Sequence, residues 1–146
     1  MKESFVILDE IAYDNGAYEV TINTSIGTFT GYTEPDEIDA QYPSIYHASE
    51  IALTKALRKF AEATVNLLKR DIKLLGGLVK QSVDMAKDRF DIDNTSFRLI
   101  NGTLKQKQKD LVKWEGRVEY LSNKLIDRVQ ARDKIVANYI KKDKTE

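Results

Sequence analysis

Two periodicities divide the chain. In "AYEVTINTSIGTFTGY" (17–32), Tyr18, Val20 and Ile22 alternate with Glu19, Thr21 and Asn23, the period of two that a half-buried strand requires. "ESFVILDEIAY" (3–13) before it is equally rich in β-formers. Asn15-Gly16 lies between the two runs and predicts a hairpin with a type I′ turn, which needs positive φ at both central residues. A second turn at Ser25–Gly27 would return the chain into Thr28–Tyr32. Residues 1–40 are therefore expected to form a three-stranded antiparallel meander, too small to stand without a helix or partner against its apolar face.

After the loop "TEPDEIDAQYPS", with a helix start at Pro43-Ser44, the period changes. Ile51, Ala56, Phe60, Leu67, Leu68, Ile72, Leu75, Val79, Val83 and Phe90 follow helical spacing and predict one long helix over 44–90. Gly76-Gly77 is the one weak point, a place for a kink, a break or a close helix crossing. "FDIDNTSFRLING" then reads as a connection, with the loop at 91–102, before a second long helix over 103–142. Its positions Leu111, Trp114, Val118, Leu121 and Leu125 step by three and four, a coiled-coil seam. The expected fold is α+β: one domain, with the meander followed by two long antiparallel helices. Leu74, Val112 and Ile126 fall off the seam and call for further cover, so a homo-oligomeric helical bundle, a dimer or higher, is expected.

Composition narrows the chemistry. The chain has 146 residues, 42% apolar and 32% charged, with two prolines and no cysteine. That excludes disulfides and thiolate catalysis, and it suits a reducing cytoplasm. No run approaches a membrane span and the start lacks a signal-peptide pattern, so a soluble cytoplasmic protein is expected. The formal charge of zero hides a division: residues 1–50 hold one lysine against ten carboxylates, net −9, and residues 51–146 hold 22 basic against 13 acidic residues, net +9. Such a field can draw an anionic ligand to the body or bring oppositely charged surfaces together. Direct nucleic-acid binding is disfavoured, because the acids dilute the basic excess.

No Walker loop, dinucleotide fingerprint, nucleophile elbow or zincin motif occurs, and the single histidine, His47, stands at a helix start where capping or packing explains it. Asp9-Glu10 and the group Asp36, Glu37 and Asp39 lack the histidines of a typical transition-metal site. No catalytic residue, metal or cofactor is therefore assigned, and a non-enzyme is expected. In "FDIDNTSFRLING", Asp91, Asp93 and Thr95 fit the first calcium-loop positions, but Ser96 and Gly102 stand where the loop needs glycine and glutamate. Two readings remain for this stretch. It is an inter-helix turn with caps, or it is a nucleotide site: Phe90 and Phe97 to stack on a base, Asp91, Asp93, Asn94 and Thr95 for hydroxyls, and Arg98 with Lys105 and Lys109 for phosphate.

The order acidic meander, "GTFTGYTEPDE", "YHASEIALTKALRKFAE", then a helical hairpin containing "DIDNTSF", resembles in layout the phage anti-Thoeris (Tad) sponge proteins. The resemblance implies an oligomeric bundle that sequesters a cyclic ADP-ribose-type immune signal without degrading it, blocking host antiviral defence. On that reading Phe90, Asp91, Asp93, Asn94, Thr95, Phe97 and Arg98 line a pocket between subunits. It further implies a second, more basic junction for cyclic oligonucleotides, for which Arg58, Lys59 and Lys105 are the candidates. Two other classes stay open: a phage-borne protein inhibitor of anti-CRISPR type acting through the acidic head, and a structural coiled-coil assembly protein.

Overall fold

The computed structural model describes residues 4–38, 44–88 and 94–145. Strands β1 (Phe5–Ala12), β2 (Tyr18–Thr24) and β3 (Gly27–Thr33) form an antiparallel sheet in the order β1-β2-β3. A 3-10 turn, Pro35–Glu37, follows, and then helices α1 (Ile45–Asp88) and α2 (Asn94–Thr145). The α+β reading and the meander hold. The described chain falls into two compact units, one of Glu62–Gly116 and one of Lys2–Ala61 with Arg117–Glu146.

In the unit that carries the sheet, the alternation in β2 works as read: Val20 and Ile22 are fully buried and Tyr18 is half-buried. The turn before β2 differs from expectation. No described non-glycine residue has positive φ, so Asn15 cannot sit in a type I′ turn. Instead Gly16 N–H donates to the Tyr13 carbonyl (3.1 Å), Tyr13 N–H to the Ala17 carbonyl (3.0 Å), and Gly16 takes φ 91°. This is a three-residue loop with glycine at the left-handed position, and the Asn15 side chain accepts the Ala17 N–H at 3.1 Å. The second hairpin closes through Ser25-Ile26, with Thr24 opposite Gly27.

The covered sheet face rests on the first turns of α1. Ala48, Ala52 and Ala56 recur every four residues and are all buried, so α1 presents a ridge of small side chains to the strands. Gly31 of β3 fits that ridge: a Cβ there would lie 1.9 Å from the Ala52 carbonyl oxygen. Further along, Phe29 and Phe60 stack with centroids 5.8 Å apart, and Phe60 is fully buried. That burial alone contributes about 2–3 kcal/mol. Thr33, also fully buried, satisfies its hydroxyl by donating to the Ala48 carbonyl at 2.6 Å.

Ser44 caps α1, its Oγ accepting the His47 N–H at 3.2 Å, in line with the helix start read at Pro43-Ser44. His47 is buried and its Nε2 bonds the carbonyl of Arg128 on α2, the packing role its position suggested. Arg128 in turn donates to the Glu50 carbonyl (3.2 Å), while Leu125 and Val129 pack against Ile38, Ala48 and Ile51.

The other unit consists of helix alone. Val65, Leu68 and Trp114 are buried, and Lys107 bridges to Asp71 at 3.1 Å. Helix α1 runs without a break through Gly76-Gly77, and among the described residues a Cβ on either glycine would meet nothing within 4 Å. Among the described residues neither a break nor a close crossing accounts for the pair. Helix α2 begins at Asn94, so 94–102, read above as part of the loop, are its first turns. Phe97, Ile100 and Leu104 already carry the helical spacing there, and it outweighs the weak propensities of Asn94, Asn101 and Gly102.

Candidate functional site

Phe90, Asp91 and Asp93 lie outside the described residues, and for Asn94, Thr95 and Phe97 the description is confined to the backbone of the first turn of α2. From Arg98 onward the side chains are placed. Arg98, Lys105 and Lys109 are all exposed, and spacings of seven and four residues set them on one helical face. None of the three has an ion-pair partner among the described residues. Lys113 is also exposed and extends the stripe. Lys107, by contrast, faces α1 and is taken up by Asp71. Among the described residues the start of α2 therefore presents a row of cations with no carboxylate paired to it, and in the sequence it follows on Phe90, Asp91, Asp93 and Phe97.

Arg117, the next basic residue, belongs to the other unit, and its guanidinium lies 4.9 Å from the centre of the Tyr120 ring, a cation–π contact. The second candidate group divides: Lys59 is exposed but donates to the Thr30 carbonyl at 2.7 Å, and Arg58 is half-buried. Lys59 thus has a structural bond that its place in the sequence did not reveal, because the acceptor lies 29 residues away on β3.

The carboxylates of the sheet unit are partly structural as well. Glu37 pairs with Lys55 and accepts the Glu34 N–H at 2.9 Å, closing a capping box on the 3-10 turn. Asp36 offers its backbone carbonyl to Arg132 at 2.6 Å. Among the described residues no group of three or more His, Asp or Glu side chains gathers where it could hold a metal ion. No helix among them is long and apolar enough to cross a membrane.

The open features are apolar. Leu74 and Leu78 of α1 and Leu99 and Val112 of α2 are exposed in the helical unit, and Val6, Ile7, Leu8 and Ile11 of β1 are exposed in the sheet unit. Leu74 and Val112 lie off the helical seam in the sequence pattern as well. The exposure of β1 has no such signal, because a run of β-formers does not show which strand of a meander the helix covers. Searches against protein-family models, curated proteins and solved structures return no match to this chain.

Proposed function

We propose that this is a non-catalytic, self-associating protein that sequesters an anionic cyclic nucleotide of the cyclic ADP-ribose type, and so blocks a host antiviral defence. The observation that carries the reading is the exposed row Arg98, Lys105 and Lys109 at the start of α2, without a carboxylate partner among the described residues. Phosphate is the ligand chemistry that fits such a row. Guanidinium and ammonium groups form charge-assisted bonds to its oxygens, and the positive end of the helix macrodipole at Asn94 adds to their field. Phe90 and Phe97 supply stacking surfaces for a base, and Asp91, Asp93, Asn94 and Thr95 supply acceptors and donors for ribose hydroxyls. The exposed Leu74, Leu78, Leu99 and Val112 support self-association, since helices of a two-helix unit leave their outer flanks uncovered.

The test is retention followed by release. The protein is incubated with cyclic ADP-ribose isomers and cyclic oligonucleotides, freed of unbound ligand and heat-denatured, and the released compound is identified by mass spectrometry. An intact nucleotide is expected at no more than about one per subunit. Reversing Arg98, Lys105 and Lys109 to glutamate should cut retention by at least about tenfold, as loss of charge-assisted contacts requires, with helix content unchanged. No retained nucleotide, or release of a hydrolysed product, defeats the reading.

A further inference from the structure

The two edges of the sheet are finished differently. Along β3, Lys59 donates to the Thr30 carbonyl at 2.7 Å and Lys55 to the Tyr32 carbonyl at 2.8 Å, both from α1. Two acceptors that an added strand would use are occupied, and two ammonium groups stand in its way. Along β1 no side chain from another element bonds the backbone among the described residues. The one local closure is the Glu10 N–H, which donates to the neighbouring Asp9 carboxylate at 2.9 Å.

β1 is also apolar where an unprotected edge should not be. Of its eight residues all but Phe5 are exposed, including Val6 at 64%, Leu8 at 57% and Ile7 at 42%. Ile7 lies opposite buried Ile22 and Val6 opposite exposed Asn23, so apolar side chains stand on both faces of the strand. The register shifts between Ile7 and Asp9, which inserts Leu8 as an extra residue. A long edge with exposed apolar residues, beside a second edge that is closed, marks a binding surface.

We propose that the outer edge of β1 docks an extended segment of a partner protein, with basic and apolar side chains in alternation, which adds to the sheet as a fourth strand. Charge selects this occupant. Asp9 and Glu10 are exposed on β1, Asp14 is exposed in the adjoining turn, and residues 1–50 carry a net −9. Pairing β1 with the same strand of a second copy would set four carboxylates on adjacent strands and join two acidic heads, which like-charge repulsion opposes. A strand bearing lysine or arginine reverses that sign. Main-chain hydrogen bonds supply its affinity, and the side chains of Val6, Leu8 and Ile11 supply the apolar contacts. This surface uses none of Arg98, Lys105 or Lys109, so it stands whether or not the nucleotide reading does.

The experiment uses the full chain and a capped heptapeptide of alternating lysine and valine, with two controls: glutamate in place of lysine, and N-methylation at alternate peptide bonds. Binding is followed by fluorescence anisotropy, and backbone amides by hydrogen exchange. The lysine peptide should bind and slow exchange along β1 but not along β3. Asp9→Asn with Glu10→Gln should weaken it about threefold, since lysines at alternate positions share one face of the added strand and meet only one of these two carboxylates directly. Leu8→Lys should abolish it with the circular dichroism unchanged. Failure of the lysine peptide to bind, equal binding of the N-methylated peptide, or indifference to the Asp9 and Glu10 changes overturns the proposal. A dimer that dissociates on Leu8→Lys overturns it too, by giving the edge to a second copy.

Discussion

Gly31 and Ala52 meet backbone to backbone: a Cβ on Gly31 would stand 1.9 Å from the Ala52 carbonyl oxygen and 2.6 Å from the Ala56 nitrogen. Neither atom can swing aside as a side chain could, so Gly31→Ala must push β3 away from α1. The expected cost is about 3 kcal/mol, the upper end of ordinary overpacking. Urea denaturation followed by circular dichroism would show it as a lower midpoint. A midpoint equal to that of the parent would mean that the sheet does not rest on α1 at this point.

Gly76 and Gly77 should behave in the opposite way. Both lie inside an unbroken α1 where a Cβ would meet nothing within 4 Å among the described residues, and glycine is the poorer helix former. Gly76→Ala and Gly77→Ala should each stabilise by about 0.8 kcal/mol. A thermal melt that falls for either variant would reveal a required conformation at the pair.

Among the described residues the hydroxyls of Tyr13, Tyr18 and Tyr46 have raised pKa values. For Tyr13 and Tyr18 burial is the largest cause, with Glu19 and Glu10 adding to it respectively. For Tyr46 the hydrogen bond to Glu50 comes first. A raised folded-state pKa favours the neutral phenol in the native state. The associated stability is therefore complete below the unfolded value of about 10 and is lost as pH rises through the folded values. Absorbance titration should show phenolate appearing later in the native protein than in urea, and Glu10→Gln should bring the Tyr18 transition to lower pH.

The Asp71–Lys107 bridge should matter little to stability. Both side chains are about a third exposed, at 33% and 30%, and water screens such a pair. Asp71→Asn is expected to cost about 0.5 kcal/mol or less. A loss several times larger, measured by denaturant titration, would show that the pair is shielded by an association of the helical unit.

The sequence was most legible where a local period set the outcome. Val20 and Ile22 announced the covered face of β2, and Trp114 and Leu121 announced the seam of α2; all four are buried. Turn chemistry was read correctly in place but not in kind. Asn15-Gly16 marks the hairpin, yet only Gly16 takes positive φ, because the loop has three residues rather than two. The start of α2 is hidden in the sequence because Asn101 and Gly102 look like punctuation, whereas the helix tolerates both. Relations across long sequence distances left no trace. Nothing near Lys59 predicts Thr30 as its partner, and nothing in "FVILDEIA" distinguishes an open edge from a covered strand. The proposed ligand residues Phe90 to Phe97 rest on residue chemistry alone, with no periodic signal behind them, and none of their side chains is among those described.

The division of the chain into two compact units also separates its natural chromophores. Trp114, the single tryptophan, is buried in the unit of Glu62–Gly116, and that unit contains no tyrosine. Tyr13, Tyr18, Tyr32, Tyr46 and Tyr120 belong to the other. Indole emission therefore reports melting of the helical unit, and phenol absorbance reports melting of the unit built on the sheet. Whether the chain unfolds in one cooperative step or in two can be read by comparing the two signals, with no label introduced.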